Sequence, residues 1–507
     1  MTRSSNPHQN YPQKRSRQRF SRRFPPPPVG PTYGSAPAYP GNHAVPQALP
    51  PHVSMPPKPS TMGSACILIG IFVAYCLYPM GVTTDAMARA AAIPTGIALL
   101  ASFAFDGTKG IRNLFRTDAL CLLSLYGLTF AEFLFPQPDF ERMATLEQVK
   151  VAIDIVLLGI GGLVVGRHLV KPRQMRSRWL TLGDISNKAL FRVFLICTVF
   201  AYLYMLITVQ FNLVWMVEAM LAPRFSQPWT RAALGGWSSF ITELQLLAYV
   251  IPPLTGVIWN RRQSFSKIQL AIVLLIFSFT LFSGFAGGTR NTFVAYMTTF
   301  LTAYLLTLPR NTIRNTLIPA ILISLLTVFA TYHMLELRTV GLKRYITEEI
   351  YASETVRDTF AVDYNLASIS WVADAMPQTY DFLGAEVLQW AIVKPIPRAL
   401  WPGKPVGLSV TIEEIAGAKG WTVAVTYLGE CYMMAGFVGV ALISVGLGAM
   451  AAWWNRMAAL SQSDYGLLVY ALGFFAAAIT MRSLFWLTTA MLPVLALIAF
   501  KKFKVVR

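Results

Sequence analysis

The residues best suited to chemistry stand in Lys394-Pro395-Ile396-Pro397-Arg398-Ala399-Leu400-Trp401-Pro402-Gly403-Lys404-Pro405, where three cations and four prolines share one polar stretch of an otherwise apolar chain. Proline fixes φ and removes a backbone donor, so this stretch can form neither a spanning helix nor a central strand. Arg398 and Lys404 are then held on a stiff backbone, which limits the entropy lost when a phosphate is gripped. Other cations stand near the ends of apolar stretches: Arg290 in Gly287-Gly288-Thr289-Arg290-Asn291, then Arg338, Lys343 and Arg344, and finally Arg482. Glycines before Arg290 allow a backbone to approach a ligand, and Asn291 and Thr292 occupy cap-like positions of the next helix, whose N-terminus with an arginine makes an anion cradle. Glu430, in Tyr427-Leu428-Gly429-Glu430-Cys431-Tyr432, enters an apolar helix, where a carboxylate needs a partner; an arginine of the cluster is the natural one. His333 has no carboxylate or cysteine at metal-ligand spacing, so it reads as a helix-end histidine hydrogen-bonded to a neighbour before it reads as a proton acceptor. Glu132 and Asp154 also fall within apolar stretches and read as buried contacts between helices.

The elements that must position these groups are membrane helices. The chain has 507 residues, 54% of them hydrophobic and 13% charged, a balance too apolar for a soluble multidomain protein. About twelve stretches approach the ~20 residues that a bilayer requires. They cover residues 63–83, 88–105, 118–136, 149–169, 189–209, 239–259, 268–287, 291–308, 317–334, 432–454, 465–481 and 484–500. The net charge of +19 is spread over alternate loops and not over one face, which argues against nucleic acid. The basic segments are Lys109/Arg112/Arg116, Arg167 to Arg178, Arg261/Arg262/Lys267, Arg310/Arg314 and Lys501 to Arg507. This is the positive-inside pattern, with an even number of spans and both termini cytoplasmic. Arg290, Arg338, Arg344, Arg398, Lys404 and Arg482 then lie on the side that normally sheds cations, and an anionic substrate at the membrane surface explains them. The plainer account pairs each with a loop carboxylate such as Glu348, Glu349 or Asp363.

Four regions follow: a basic, proline-rich cytoplasmic tail over residues 1–60, expected to be disordered; nine spans over 63–334; a large outside loop over 335–431; and three spans with a basic end over 432–507. The tail's arginines suit anionic lipid headgroups and Pro25 to Pro28 suits a polyproline-binding partner. No short apolar leader with a cleavage site precedes Gly63, so the first span is expected to be retained. Within the large loop, Glu336–Thr355 and Asp381–Val393 have helical spacing, and Leu383, Val387, Leu388, Trp390 and Ala391 are expected to form an apolar face on the bilayer surface. A shorter outside loop covers residues 210–238, with Trp215, Trp229 and Trp237. The five cysteines lack paired spacing, which implies no disulfide framework and no zinc site. Phosphate-binding glycine loops, His-Glu-x-x-His and Gly-x-Ser-x-Gly do not occur, so no cofactor and no metal is expected.

Gly-Gly-Thr-Arg290-Asn, the Ile396-Pro397-Arg398-Ala399-Leu400-Trp401-Pro402-Gly403-Lys404-Pro405 stretch and Gly429-Glu430-Cys431-Tyr432-Met433-Met434-Ala435-Gly436-Phe437-Val438-Gly439, in that order, resemble the bacterial oligosaccharide repeat-unit polymerases, the Wzy family of O-antigen and exopolysaccharide polymerases. The resemblance covers roughly residues 63–500 and leaves the tail unexplained. It implies an all-α polytopic fold like that of C-type membrane glycosyltransferases, in the bacterial inner membrane, with the activity at the periplasmic face. The substrate implied is an oligosaccharide carried on undecaprenyl pyrophosphate, polymerised into O-antigen, capsule or exopolysaccharide. Implied partners are the lipid bilayer and a chain-length regulator or other polysaccharide-assembly proteins. On this resemblance Arg290, Arg338 and Arg398 are expected to hold the pyrophosphate, with Lys404 and Arg344 as an outer ring. Glu430, Glu336 and His333, in that order, are candidates to orient or deprotonate the acceptor hydroxyl. A ligase using the same lipid donor and a lipid-linked oligosaccharide flippase remain alternatives.

Overall fold

A computed structural model describes residues 58–170, 182–231, 238–309, 313–347, 363–398, 400–417, 424–460 and 463–503. The expected tail up to residue 57, the Lys171 to Arg178 segment, Arg310, Glu348, Glu349 and Trp237 lie outside the described residues. Among the described residues the fold is helical throughout, without a strand. The helices of eight or more residues are α1 (Thr61–Leu77), α2 (Thr84–Gly107), α3 (Thr117–Thr129), α4 (Leu146–Leu169), α5 (Asn187–Thr208), α6 (Leu213–Leu221), α7 (Ile251–Asn260), α8 (Lys267–Ala286), α9 (Arg290–Leu306), α10 (Ile313–Val340), α11 (Asn365–Ala375), α12 (Glu386–Val393), α13 (Thr426–Leu460), α14 (Asp464–Arg482) and α15 (Leu487–Lys502). Many starts are written in the sequence as caps. Ser60, Thr83, Thr145, Ser186, Ser266 and Ser463 each accept a hydrogen bond from the backbone N–H three residues on. Each such cap is worth about 1 kcal/mol.

Among the described residues ten helices are long and apolar enough to cross a membrane. The other two expected spans, 118–136 and 291–308, are the shorter helices α3, of 13 residues, and α9, of 17 residues. Pro136 and Pro138 disfavour helix in the residues before them, so the chain after α3 continues as short 3-10 turns. Helix α9 is bounded by left-handed Gly288 and by Leu308-Pro309. Helix α10 carries a broad unpartnered apolar face that includes Leu317, Leu322, Leu325, Val328 and Phe329. Such a face suits contact with lipid.

The interior contains two large apolar clusters. One joins α1–α4 with α11, α12 and α13, and the other joins α5, α7, α14 and α15. At one end of the bundle a polar knot ties the helices together. Buried Asp118 accepts from Arg116 Nε at 3.1 Å and from Asn455 Nδ2, with Arg167 at 3.8 Å. Arg167 Nε in turn donates to Ser64 Oγ at 2.9 Å. Lys267, Arg314 and the Arg261–Asp464 ion pair mark the starts of α8, α10 and α14, whereas Arg338 and Arg482 lie at the finishing ends of α10 and α14.

The expected outside loop is folded back onto the helices. Helix α11, in a stretch whose spacing predicts no helix, buries Leu366, Ile369 and Val372 in the first cluster. Trp371 Nε1 donates to Met143 O at 2.8 Å and Asn365 Nδ2 to Leu128 O at 2.8 Å, fixing α11 to the end of α3 and to the connection that follows it. Helix α12 begins only at Glu386, after a turn at left-handed Gly384. Its Val387 and Ala391 are buried against protein while Leu388 is exposed, so the expected bilayer-facing stripe packs largely inward. Glu336–Thr355 is interrupted as well: α10 runs to Val340, Gly341 breaks it, and Leu342–Thr347 follows as a short helix before residues outside the description. The tenth expected span starts earlier than residue 432. A half-helix from Thr426 precedes a break at Ala435 and Gly436, and the carbonyls released there are taken by the N–H groups of Leu383 and Gly384, at 2.8 and 3.0 Å.

Candidate anion site

Two glycines bring the cations together. Gly288 adopts φ +59°, and a Cβ there would stand 2.8 Å from Arg338 Cα. Gly341 ends α10 at φ +83°, and a Cβ there would stand 2.6 Å from Pro223 N. Only glycine tolerates both the left-handed backbone and the contact. The consequence is that Arg290 at the head of α9, Arg338 in the last turn of α10 and Arg224 after Pro223 converge on one cavity. The sequence reading assigned Gly287-Gly288 to the approach of a ligand; Gly288 accommodates the approach of α10.

The cavity has a volume of about 640 Å³. Its charged wall holds Arg224, Arg290, Arg338, Arg482 and Lys394 against Asp363, Glu413 and Glu430. Leu246, Tyr249, Leu472, Phe475 and Pro493 make an apolar floor between α14, α15 and the turns before α7. Asp363 bridges two of the arginines, accepting from Arg290 Nη2 at 3.0 Å and from Arg482 Nη1 at 2.6 Å. For these two cations the plainer sequence account, a loop carboxylate partner, describes the geometry. Arg224 and Arg338 share the ring of Phe225, with guanidinium carbons 5.8 and 5.3 Å from its centroid. Burial pushes the Arg224 guanidinium below its usual range, and the like charges of Arg338 and Arg482 add to the push. Among the described residues the charged groups of Arg338 and Lys394 have no hydrogen-bond acceptor and no ion-pair partner, only aromatic faces.

Glu430 lines the same cavity from the half-helix that precedes the break in α13. An arginine was the expected partner. Instead Ser483 Oγ donates to Oε1 at 2.5 Å and the Leu484 N–H donates to Oε2 at 2.6 Å, so the turn between α14 and α15 holds the carboxylate in place. Of the remaining candidates, Arg398 is exposed, its Nη2 reaching only Pro405 O at 3.4 Å, and it is not among the cavity-lining residues. Lys404 braces the proline-rich stretch: its Nζ donates to Lys394 O at 2.6 Å and to Ile396 O at 2.9 Å, above the Trp390 ring. Arg344 is exposed on the short helix after Gly341 and also lies off the cavity wall. His333 Nδ1 is 2.7 Å from Tyr345 Oη and packs against Phe329 and Tyr332, the helix-end role expected first. The Glu336 side chain lies outside the described residues. Glu132 and Asp154 make contacts between elements, with the Tyr364 N–H at 3.4 Å and Tyr78 Oη at 2.7 Å.

Beyond the expected pyrophosphate-binding residues the site includes Lys394 and Arg482, expected only as outside cations, Asp363, expected only as a carboxylate partner, and Arg224, which the sequence does not single out. Arg482 and Lys394 carried a signal, as cations in the expected outside segments. Arg224 carried none, because its loop was marked only by tryptophans. Comparison with known protein families, curated proteins and solved structures finds no match.

Proposed function

We propose that this chain is a multi-pass membrane glycosyltransferase that polymerises oligosaccharide repeat units carried on undecaprenyl pyrophosphate, at the outer face of a bacterial inner membrane. The observation that carries the reading is Arg338, a cation with no ion-pair partner among the described residues, facing one cavity beside the Arg290–Asp363–Arg482 bridge. A partly buried guanidinium without a counter-charge is unfavourable, and an incoming pyrophosphate supplies the missing charge. The cavity lies at the end of the bundle away from the basic segments, where the positive-inside pattern puts the outer face. The apolar floor suits the lipid end of such a donor.

In the proposed reaction a hydroxyl oxygen at the non-reducing end of the incoming unit bonds to the anomeric carbon of the growing chain. The bond from that carbon to the pyrophosphate oxygen breaks, and its electron pair leaves with the lipid pyrophosphate. Guanidinium groups fixed before the reaction stabilise the charge that develops there. Glu430, its two oxygens oriented by Ser483 and Leu484, accepts the hydroxyl proton and passes it to solvent.

The test is the glycan made by cells lacking this chain, together with the side of the membrane on which the lipid-linked units accumulate. Single repeat units on the outer face support polymerisation. Units retained on the cytoplasmic face point to a flippase, and finished polymer left on its lipid carrier points to a ligase; either overturns the proposal.

A further inference from the structure

We propose that Lys394, set against Trp486 and Phe485, forms a second subsite in the cavity, which takes an acidic sugar of the oligosaccharide, a uronate or a sugar bearing a carboxylate substituent. The inference rests on the reading of the cavity as a glycan-transfer site, and names the class of sugar that it admits.

Lys394 caps the C-terminus of α12, where a lysine ordinarily turns toward the last carbonyls of its own helix. Lys404 takes that role, since its Nζ occupies the carbonyls of Lys394 and Ile396 at 2.6 and 2.9 Å. The Lys394 ammonium is thereby left to the cavity, 4.6 Å from the Trp486 ring centroid and 5.8 Å from that of Phe485. Among the described residues no carboxylate or carbonyl accepts from it. An ammonium among aromatic rings offers a sugar both things it needs: an aromatic plane for the apolar face of the ring and a charge for a carboxylate at its edge. Trp390, one turn before Lys394 on α12, adds a second indole to the cavity wall.

The surroundings separate this place from the arginine wall. The charges that act on Lys394 are those of Glu430, Lys404 and Glu243, whereas those that act on Arg224 are Arg338 and Arg482. Glu430 adjoins both: it lines the same cavity as Lys394, and its carboxylate is held by Ser483, the residue after Arg482. That is where a base must stand to reach the acceptor hydroxyl, so the acidic sugar is placed in the acceptor unit.

The experiment is a titration of the full chain, purified in detergent, with three probes: an oligosaccharide ending in glucuronate, its neutral glucose counterpart, and farnesyl pyrophosphate. Tryptophan fluorescence reports the first two and calorimetry the third. The expected result is that the glucuronate oligosaccharide binds about tenfold more tightly than the neutral one, a difference of about 1.4 kcal/mol. The preference is lost in Lys394→Gln, retained in Arg338→Gln, and partly restored in Lys394→Arg, while Lys394→Gln keeps its affinity for farnesyl pyrophosphate. Equal binding of the two oligosaccharides by the wild-type protein overturns the inference, as does a Lys394→Gln variant that loses farnesyl pyrophosphate affinity. Failure of the wild-type chain to bind farnesyl pyrophosphate, with the glucuronate preference intact, sinks the transferase reading and leaves the acidic-sugar subsite standing.

Discussion

Arg338→Gln separates binding from folding, because the structure gives Arg338 so little to do in the fold. Its guanidinium stands 5.3 Å from the Phe225 centroid, and no carboxylate among the described residues pairs with it. Losing a cation–π contact of this kind costs about 0.5–1 kcal/mol, and removing one of two neighbouring guanidinium groups offsets part of that. A ligand phosphate, in contrast, loses a charge-assisted hydrogen bond of about 1.5–3 kcal/mol, which is roughly 10- to 150-fold in affinity. Calorimetric titration of the detergent-purified protein with farnesyl pyrophosphate reads the loss, and thermal unfolding of the same sample reads the stability. Arg338→Lys recovers only part of the affinity, because an ammonium lacks the planar fork. Arg398→Gln is the control: exposed and off the cavity wall, it leaves affinity unchanged. Wild-type affinity in Arg338→Gln, or a loss in Arg398→Gln equal to that in Arg338→Gln, refutes the assignment of the anion to this cavity.

Asp118→Ala removes the buried carboxylate that pairs with Arg116 and Arg167 and lowers stability by about 3–5 kcal/mol, measured by thermal or denaturant unfolding; a shift below about 1 kcal/mol contradicts the polar knot. Gly288→Ala places a Cβ 2.8 Å from Arg338 Cα on a left-handed backbone, so a cost of about 1–3 kcal/mol and a parallel fall in farnesyl pyrophosphate affinity are expected from melting and titration. Burial pushes the Lys394 ammonium below the ordinary lysine value, so glucuronate preference is full where the sugar is ionised and the lysine still protonated, and disappears as pH rises through that depressed value; titrations upward from neutral pH check this, and a preference that grows over that range contradicts it. Reporter fusions after Lys404 and after Lys502 are expected to report opposite faces of the membrane, and a cytoplasmic signal at Lys404 overturns the sidedness proposed for the cavity.

Helix identity, helix starts and the general whereabouts of charge are local properties, and the sequence by itself determined them. Apolar stretches of spanning length, Ser and Thr caps and prolines that forbid helix are all written within a few residues of the structure they cause, so ten of the expected spans correspond to helices of membrane length and the proline-rich stretch is irregular. Two expected spans came out short because hydropathy averages over the prolines and glycines that end a helix. Which cations share a cavity is a different kind of fact. Arg290 and Arg338 meet only because Gly288 and Gly341 admit close contacts between segments far apart in sequence, and Arg224 joins them across the second of those contacts. Arg398 and Lys404 have the more conspicuous motif, yet backbone carbonyls of their own loop take Lys404, and Arg398 is exposed and off the cavity wall. Pairing of Asp363 with Arg290 and Arg482, and of Glu430 with Ser483 and Leu484, likewise depends on how α9, α13 and α14 converge. A charge in a sequence declares that it needs a partner, and only the tertiary structure decides whether the protein supplies one or leaves the place to a ligand.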